Sequence, residues 1–553
     1  MGGDVAAGWD ALAAALPRDA SVVAVDGPAI ANWPQLVAGL SAAFEARGVT
    51  AQFQDTMTCA LPWPRIKELT SSAGLRDDRD FEKLADGTLA DLFDLTSPAQ
   101  PSPGSVLVVH GPGAGLLPHD VLCYADLPKR YAEAAVAEGR GRNLGQPADA
   151  GPAITKRLFY VDWPLLDRHR DAISGRIDHW IDMQDPDAPA LIGGAALRTT
   201  LAGLVVRPFR TRPTFNTTSW GGHWAQRELG HNPQARNTAL GYELIAPESG
   251  VLIGTGPEAR VEIPFQLVVA LHPRAVLGDR VHEVFATSFP IRFDYLDTVD
   301  GGSLSVHCHP RSDYMRDVFG WPYPQHETYY MMVGGEDREV YLGLRGDADI
   351  ESFHSDAHEA DDQGTPFEIA KYVQTFPASK HQLFLIPAGT PHGSGKGNVV
   401  LEVSATPYLY SLRFYDWLRH DVDGNQRPVH VEHAFRNLNR ERRGDAVAQE
   451  LVPRPEGVRA GEDWHEELIG ALPEMFFEVR RMVLRPDAVA DDDTEGRFHV
   501  LNVVEGDGVL LETPHGDHEL GYAETLVVPA AVGHYSLRAL GSGDVAVVKA
   551  VVR

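Results

Sequence analysis

Apolar positions along the chain change rhythm once. Up to about residue 200 they come as short continuous runs: Ser21-Val22-Val23-Ala24-Val25-Asp26-Gly27, Val106-Leu107-Val108-Val109-His110-Gly111 and the weaker Val121-Leu122-Cys123-Tyr124. Runs of this length ended by turn residues read as buried parallel strands. Between the first two, Trp33 to Gly48 places Leu36, Leu40 and Phe44 at helical spacing and stops at a glycine. Strands alternating with helices predict parallel βαβ units. From about residue 215 the pattern becomes short strands between Gly, Pro and Asp turns, near 241–246, 251–254, 260–270 and 291–296, then 304–309, 328–333, 339–344, 382–387 and 398–404. The rhythm returns from about 474, in Phe498 to Gly506 and Glu524 to His534. Such spacing predicts jelly rolls. The expected chain is multidomain: α/β with a parallel sheet over 1–206, then all-β, with one jelly roll over 207–445 and a second over 446–553. Composition predicts loops at 97–104 and 144–152 and a linker at 207–219. The acidic stretch Asp347 to Gln363, which carries His354 and His358, reads as a solvated charged loop.

At 553 residues the chain is too long for one core and implies roughly three or four domains. Its net charge of −28 repels phosphate backbones and anionic lipid, so nucleic acid and membrane surfaces are not expected partners. A small anionic substrate is still admissible, since it needs only a local Arg or Lys cluster. Cys59, Cys123 and Cys308 are too few for a disulfide framework and fit a reducing compartment. Met1 to Pro17 lacks the basic start and apolar core of a signal peptide, and no run of 18 apolar residues occurs. The expectation is a cytoplasmic protein, with a homo-oligomer left open.

Candidate chemistry concentrates in the middle. Gly301-Gly302-Ser303-Leu304-Ser305-Val306-His307-Cys308-His309-Pro310 puts two histidines on one face of a strand after a turn. Glu327 follows in His326-Glu327-Thr328-Tyr329-Tyr330-Met331-Met332, and His392 in Ile386-Pro387-Ala388-Gly389-Thr390-Pro391-His392. Three imidazoles and a carboxylate suit a borderline divalent metal such as Zn, Fe, Mn or Ni. His499 and His534 have no carboxylate in their pattern and read as structural.

Residues 302–392 follow the cupin pattern, and the stretch from about 215 to 553 resembles type I mannose-6-phosphate isomerases of the short bacterial kind. The resemblance is carried by Trp220-Gly221-Gly222, Ser305 to Pro310, Glu327 with Tyr329-Tyr330-Met331, Ile386 to His392, and Arg413-Phe414-Tyr415-Asp416-Trp417-Leu418-Arg419. It implies metal ligands at His307, His309, Glu327 and His392, with zinc first in line. An imidazole at 307 replaces the family's glutamine and widens the choice to Fe, Mn or Ni. Gln325 stands where the family usually has a lysine. Lys396 and Arg419 could compensate for the missing charge, and His326 could take over proton transfer, since an ordinary histidine pKa near 6.5 suits that work. The implied activity is aldose–ketose isomerisation of a sugar or sugar phosphate through a cis-enediol. The alternatives are a cupin acting on an unphosphorylated sugar or doing oxygen chemistry with Fe, and a non-catalytic sugar-binding or regulatory protein. The last jelly roll is expected to be a degenerate cupin.

The first half resembles nucleoside and uridine kinase-like P-loop domains. The likeness lies in Val25-Asp26-Gly27, the Val106 to Gly111 strand, and Lys156 to Trp163 leading to Asp167-Arg168-His169. After Asp26-Gly27, however, comes Pro28-Ala29-Ile30-Ala31-Asn32-Trp33-Pro34, with no lysine and two prolines that lack an N–H. A kinase ancestor would have lost phosphate binding here. His110-Gly111-Pro112-Gly113-Ala114-Gly115 is expected to be a loop of structural use.

Overall fold

A computed structural model describes residues 5–19, 21–95, 100–147, 149–256, 259–407, 409–421 and 424–553. Parts of the loops expected at 97–104 and 144–152, namely 97–99 and 148, lie outside the described residues. The chain divides into two compact units: Met1–Leu204 with Gly250–Leu271 and Val318–Gly320, and Val205–Ser249 with His272–Asp317 and Trp321–Arg553.

The first unit is built on a seven-stranded sheet of β1 (Ala6–Ala7), β2 (Val22–Asp26), β3 (Thr50–Asp55), β4 (Ser105–His110), β5 (Val121–Asp126), β6 (His179–Asp182) and β7 (Ala190–Gly193). Its order is β1-β7-β6-β5-β2-β4-β3. β2 to β6 pair in parallel, and β7 and β1 add an antiparallel edge. The apolar runs are buried as continuous runs should be, and α1 (Trp33–Ala46) packs Leu36, Leu40, Ala43 and Phe44 inward. Asn32 caps α1 by accepting from the Gln35 N–H at 3.2 Å.

The Gly-rich loop after β4 binds the chain itself. Asp26 Oδ1 accepts from the Gly27 and Gly113 N–H groups at 2.7 and 3.1 Å, and Oδ2 from the Gly115 N–H at 2.8 Å. His169, on α2 (Trp163–Ile173), reaches the same Oδ2 at 2.7 Å. A buried carboxylate thus fills the nest of amides that a phosphate would need.

A hairpin of β8 (Gly250–Gly256) and β9 (Ala259–Pro264) also belongs to this unit. Arg130 grips Glu262 with two 2.7 Å bonds, and Asp182 accepts from the Glu262 N–H at 2.8 Å. The strand expected over 260–270 ends at Pro264 and continues as the helix Phe265–Leu271. A short, wholly apolar run does not tell strand from helix by periodicity.

The second unit holds two antiparallel sandwiches. In the first, β10 (Thr214–Asn216), β11 (Leu240–Leu244), β12 (Ile291–Asp297), β14 (Glu327–Val333), β17 (Leu383–Ile386) and β19 (Val399–Ala405) form one sheet, ordered β17-β14-β19-β12-β11-β10. The facing sheet is β16-β15-β18-β13-β20, from β13 (Val306–Cys308), β15 (Gly335–Leu344), β16 (Val373–Ala378), β18 (His392–Ser394) and β20 (Leu412–Tyr415). The second sandwich spans Glu456–Ala460 to Val545–Val552 in sheets of six and four strands around one apolar core. The stretch expected to be a linker is structured: Phe209 exchanges backbone hydrogen bonds with Val527 at 3.0 and 2.9 Å.

The acidic stretch is a helix, not a loop. α3 (Ile350–Gln363) buries Phe353, Ala357 and Ala360, is capped by Asp349, and ends at Gly364 in the left-handed conformation. Among the described residues no helix is long and apolar enough to cross a membrane.

Candidate metal centre

The two sheets of the first sandwich bring four side chains to one buried point. His307 and His392 are register partners across β13 and β18, and their ring centroids are 4.3 Å apart. His309 lies 5.2 Å from each, and Glu327 enters from the opposite sheet at the start of β14. One ligand atom from each of the four lies within 4.8 Å of every other.

Backbone carbonyls fix the rings. His307 Nδ1 lies 2.9 Å from Ser305 O, His392 Nδ1 2.9 Å from Thr390 O, and His309 Nδ1 3.2 Å from Tyr410 O. A carbonyl only accepts, so each Nδ1 carries the proton and each Nε2 keeps a lone pair. Those lone pairs meet a carboxylate: His309 Nε2 is 3.0 Å from Glu327 Oε2, and His392 Nε2 is 2.6 Å from Glu327 Oε1. The latter two atoms are buried, have no hydrogen-bond partner, and approach without hydrogen-bond alignment. A cation between them would satisfy these atoms. The donor set of three imidazoles and a carboxylate fits a divalent transition metal.

The electrostatics agree. Burial, then the neighbouring His392 and His309, hold His307 well below the ordinary histidine pKa, and burial also lowers His309. Burial alone would raise Glu327, but its pairing with His392 and His309 outweighs that and holds the carboxyl well below the usual glutamate range. Neutral imidazoles and a charged carboxylate are the forms that bind metal.

A polar ladder beneath Glu327 went unread in the sequence. Cross-strand pairing aligns Glu327, Ser404 and Arg292 in one row and Tyr329, Glu402 and Asp294 in the next, all of them buried. Arg292 bonds Glu402 and Ser404, Ser404 Oγ donates to Glu402 at 2.8 Å, and Gln325 Nε2 donates to Glu327 Oε2 at 2.9 Å. Burial lifts Glu402 well above the usual carboxylate range and takes Asp294 to about 6, against the pull of Arg292. The available signal was charge at i and i+2 inside apolar strands, in Ile-Arg-Phe-Asp and Leu-Glu-Val-Ser.

Arg419 and Lys396 converge on the turn that leads into β13. Arg419 donates to Ser303 O and to Asp416 O, the latter at 3.2 Å, and the Lys396 N–H donates to Ser303 Oγ at 3.2 Å. Trp220 O accepts from the Gly302 N–H at 2.9 Å, and a Cβ on Gly301 would come within 2.3 Å of Trp220 O. The Trp-Gly-Gly, Gly-Gly-Ser and Arg419 motifs are thus one structural cluster. Arg419 Nη1 is buried without a partner, and burial lowers the guanidinium pKa to about 10. The Lys396 side chain is exposed.

His326 goes elsewhere. Strand alternation that sets Gln325 and Glu327 together turns His326 away, where its Nδ1 accepts from the Ala388 N–H at 3.2 Å. It lines a separate cavity with Phe285, Tyr323, Glu474 and Phe476, and burial lowers its pKa to about 4. The structure therefore does not bring this sequence candidate for proton transfer to the four ligands. His499 and His534 do not meet: His499 is buried against Tyr535, whereas His534 is exposed near Asp491.

Residues 8–206 match a family model described as a domain of unknown function, DUF8485, and the match does not identify a P-loop kinase. The chain is similar to mannose-6-phosphate isomerase of Streptococcus mutans serotype c, 27% identical over 216 residues, which are 39% of this chain and 63% of that protein. That stretch spans less than two thirds of the relative. It is also similar to mannose-6-phosphate isomerase ManA of Bacillus subtilis, 23% identical over 349 residues, 59% of this chain and 99% of the relative. Among solved structures, mannose 6-phosphate isomerase from Bacillus subtilis aligns with a TM-score of 0.49 at 18% identity, covering 62% of this chain and 99% of that one. The all-β part of this chain is thus similar in sequence to mannose-6-phosphate isomerases and carries a buried His307, His309, Glu327 and His392 metal-binding group.

Proposed function

We propose that the protein is a metal-dependent aldose–ketose isomerase of mannose-6-phosphate isomerase type, interconverting mannose 6-phosphate and fructose 6-phosphate or a related hexose pair through a cis-enediol. The observation that carries this reading is the buried set of three carbonyl-pinned imidazoles facing one ionised glutamate. When bound, zinc or a similar divalent ion supplies a Lewis acid for the sugar carbonyl and its neighbouring hydroxyl. The chain's residues do the rest. Gln325 and the Arg292–Glu402–Ser404 network orient Glu327. Arg419, with an unpaired N–H beside the Gly301–Ser303 turn, supports charge developing on an enediolate or the distal end of the substrate. Lys396, exposed on the neighbouring 395–397 turn whose backbone bonds Ser303, adds positive charge for a phosphate.

A second reading, an unphosphorylated hexose as substrate, is favoured by Gln325, whose neutral amide is committed to Glu327. The test is an isomerase assay on phosphorylated and free hexoses, before and after chelation, with His392→Ala as control. Turnover of a hexose phosphate that is lost on chelation and in His392→Ala supports the proposal; metal-independent turnover, or none on any hexose, contradicts it.

A further inference from the structure

A second group of ligand atoms lies on the surface of the same unit. His354 and His358 sit four residues apart on α3 and so share one face of the helix. Opposite them is Glu432 on α4 (Val431–Asn437). His354 Nε2 is 3.4 Å and His358 Nε2 3.1 Å from the same oxygen, Glu432 Oε1. The rings stand nearly perpendicular with centroids 4.6 Å apart, and His354 is held edge-on against Phe435. One imidazole would suffice for an ion pair. Two aimed at one oxygen, with the three ligand atoms within 4.8 Å of one another, instead surround a common point.

We propose that His354, His358 and Glu432 form a second divalent transition-metal site that ties α3 to α4. Two imidazoles and a carboxylate are the donor set such ions take, and half-exposed rings leave the remaining positions to water. The scaffold is rigid enough to hold the geometry: α3 is capped at both ends, and Tyr372 OH donates to Asp356 at 2.6 Å. Glu351, Asp356 and Glu359 on α3 add negative charge that attracts a cation. The site also has a structural reach. Ala434 O accepts from Cys308 Sγ at 3.7 Å, and Asn437 Oδ1 accepts from the Arg311 N–H at 2.9 Å, so α4 packs against the segment carrying His307 and His309.

Metal-free full-length protein titrated with Zn2+ against a chromophoric chelator tests this. Wild type is expected to take one more equivalent than His354→Ala/His358→Ala, and His307→Ala/His309→Ala is expected to retain that surface equivalent. Glu432→Gln, which leaves both histidines in place, should weaken the surface equivalent at least tenfold. Equal Zn2+ binding by wild type and His354→Ala/His358→Ala, with circular dichroism showing both folded, would overturn the inference, as would unchanged affinity in Glu432→Gln. A single equivalent in wild type that vanishes only in His354→Ala/His358→Ala would uphold the surface site while refuting the buried one.

Discussion

Gln325 donates its side-chain amide to Glu327 Oε2 across 2.9 Å, so a residue that contributes no charge fixes the one carboxylate of the buried centre. Partners of this kind orient a ligand and typically change metal affinity about 10–100-fold when removed. Gln325→Ala is therefore expected to weaken metal binding by about that factor while leaving the fold intact. Chelator competition on the variant measures it; unchanged affinity would show that the ladder from Arg292 positions Glu327 without Gln325.

Asp26 explains why the first unit has a glycine-rich loop without a phosphate site. Three backbone N–H groups and His169 are already satisfied by its carboxylate. Asp26→Asn would turn an amide N–H toward one of those donors and is expected to destabilise the unit by about 2–3 kcal/mol, the scale of a lost charged hydrogen bond. Wild type should show no rise in Tm with millimolar MgATP, because the amides are occupied. A clear rise would contradict this account of the loop.

The second sandwich replaces a ligand cluster with an internal ion network. Lys549 Nζ lies 2.6 Å from Glu466 Oε1 and 2.6 Å from Asp492 Oδ2, and all three side chains are buried. Among the described residues of this sandwich no three His, Cys, Asp or Glu side chains gather as a metal site. Lys549→Met removes the buried one of the two cations these carboxylates share and is expected to cost about 3–5 kcal/mol in denaturant unfolding. A loss below about 1 kcal/mol would mean that Arg459, which also bonds Asp492 and Glu466, carries the network alone.

The same sandwich should be acid-sensitive through His499. Burial, with Lys549 nearby, lowers its pKa to about 3, whereas an unfolded histidine titrates near 6.5. The folded state disfavours the proton, so this contribution is complete above about pH 6.5 and is lost as the pH falls from there toward about 3. Between pH 7 and pH 5 it amounts to about 1–2 kcal/mol. His499→Phe should flatten that part of the stability–pH curve; an unchanged slope would place the sensitivity in another group.

What the sequence made legible was what neighbouring residues encode. Strand alternation put His307 and His309 on one face, and the resemblance to the isomerase family supplied Glu327 and His392 as their partners. The roles of Gln325 and Glu402 were not readable, because they depend on pairing between β14 and β19, about 75 residues apart in the chain. His326 was misplaced for the opposite reason: proximity to Glu327 in sequence puts it on the other face of the strand. Acidic composition hid α3, although Phe353, Ala357 and Ala360 mark one helical face at i, i+4 and i+7. The continuous runs of β2 and β4 marked the parallel part of a mixed sheet, but not its antiparallel edge nor Gly250–Leu271, which joins that unit from far along the chain.

Metal content by mass spectrometry decides whether His307, His309, Glu327 and His392 hold a metal. Wild-type protein is expected to carry one more equivalent of divalent transition metal per chain than His307→Ala/His309→Ala prepared in the same way. Equal metal content in the two folded proteins would mean that these four residues hold none.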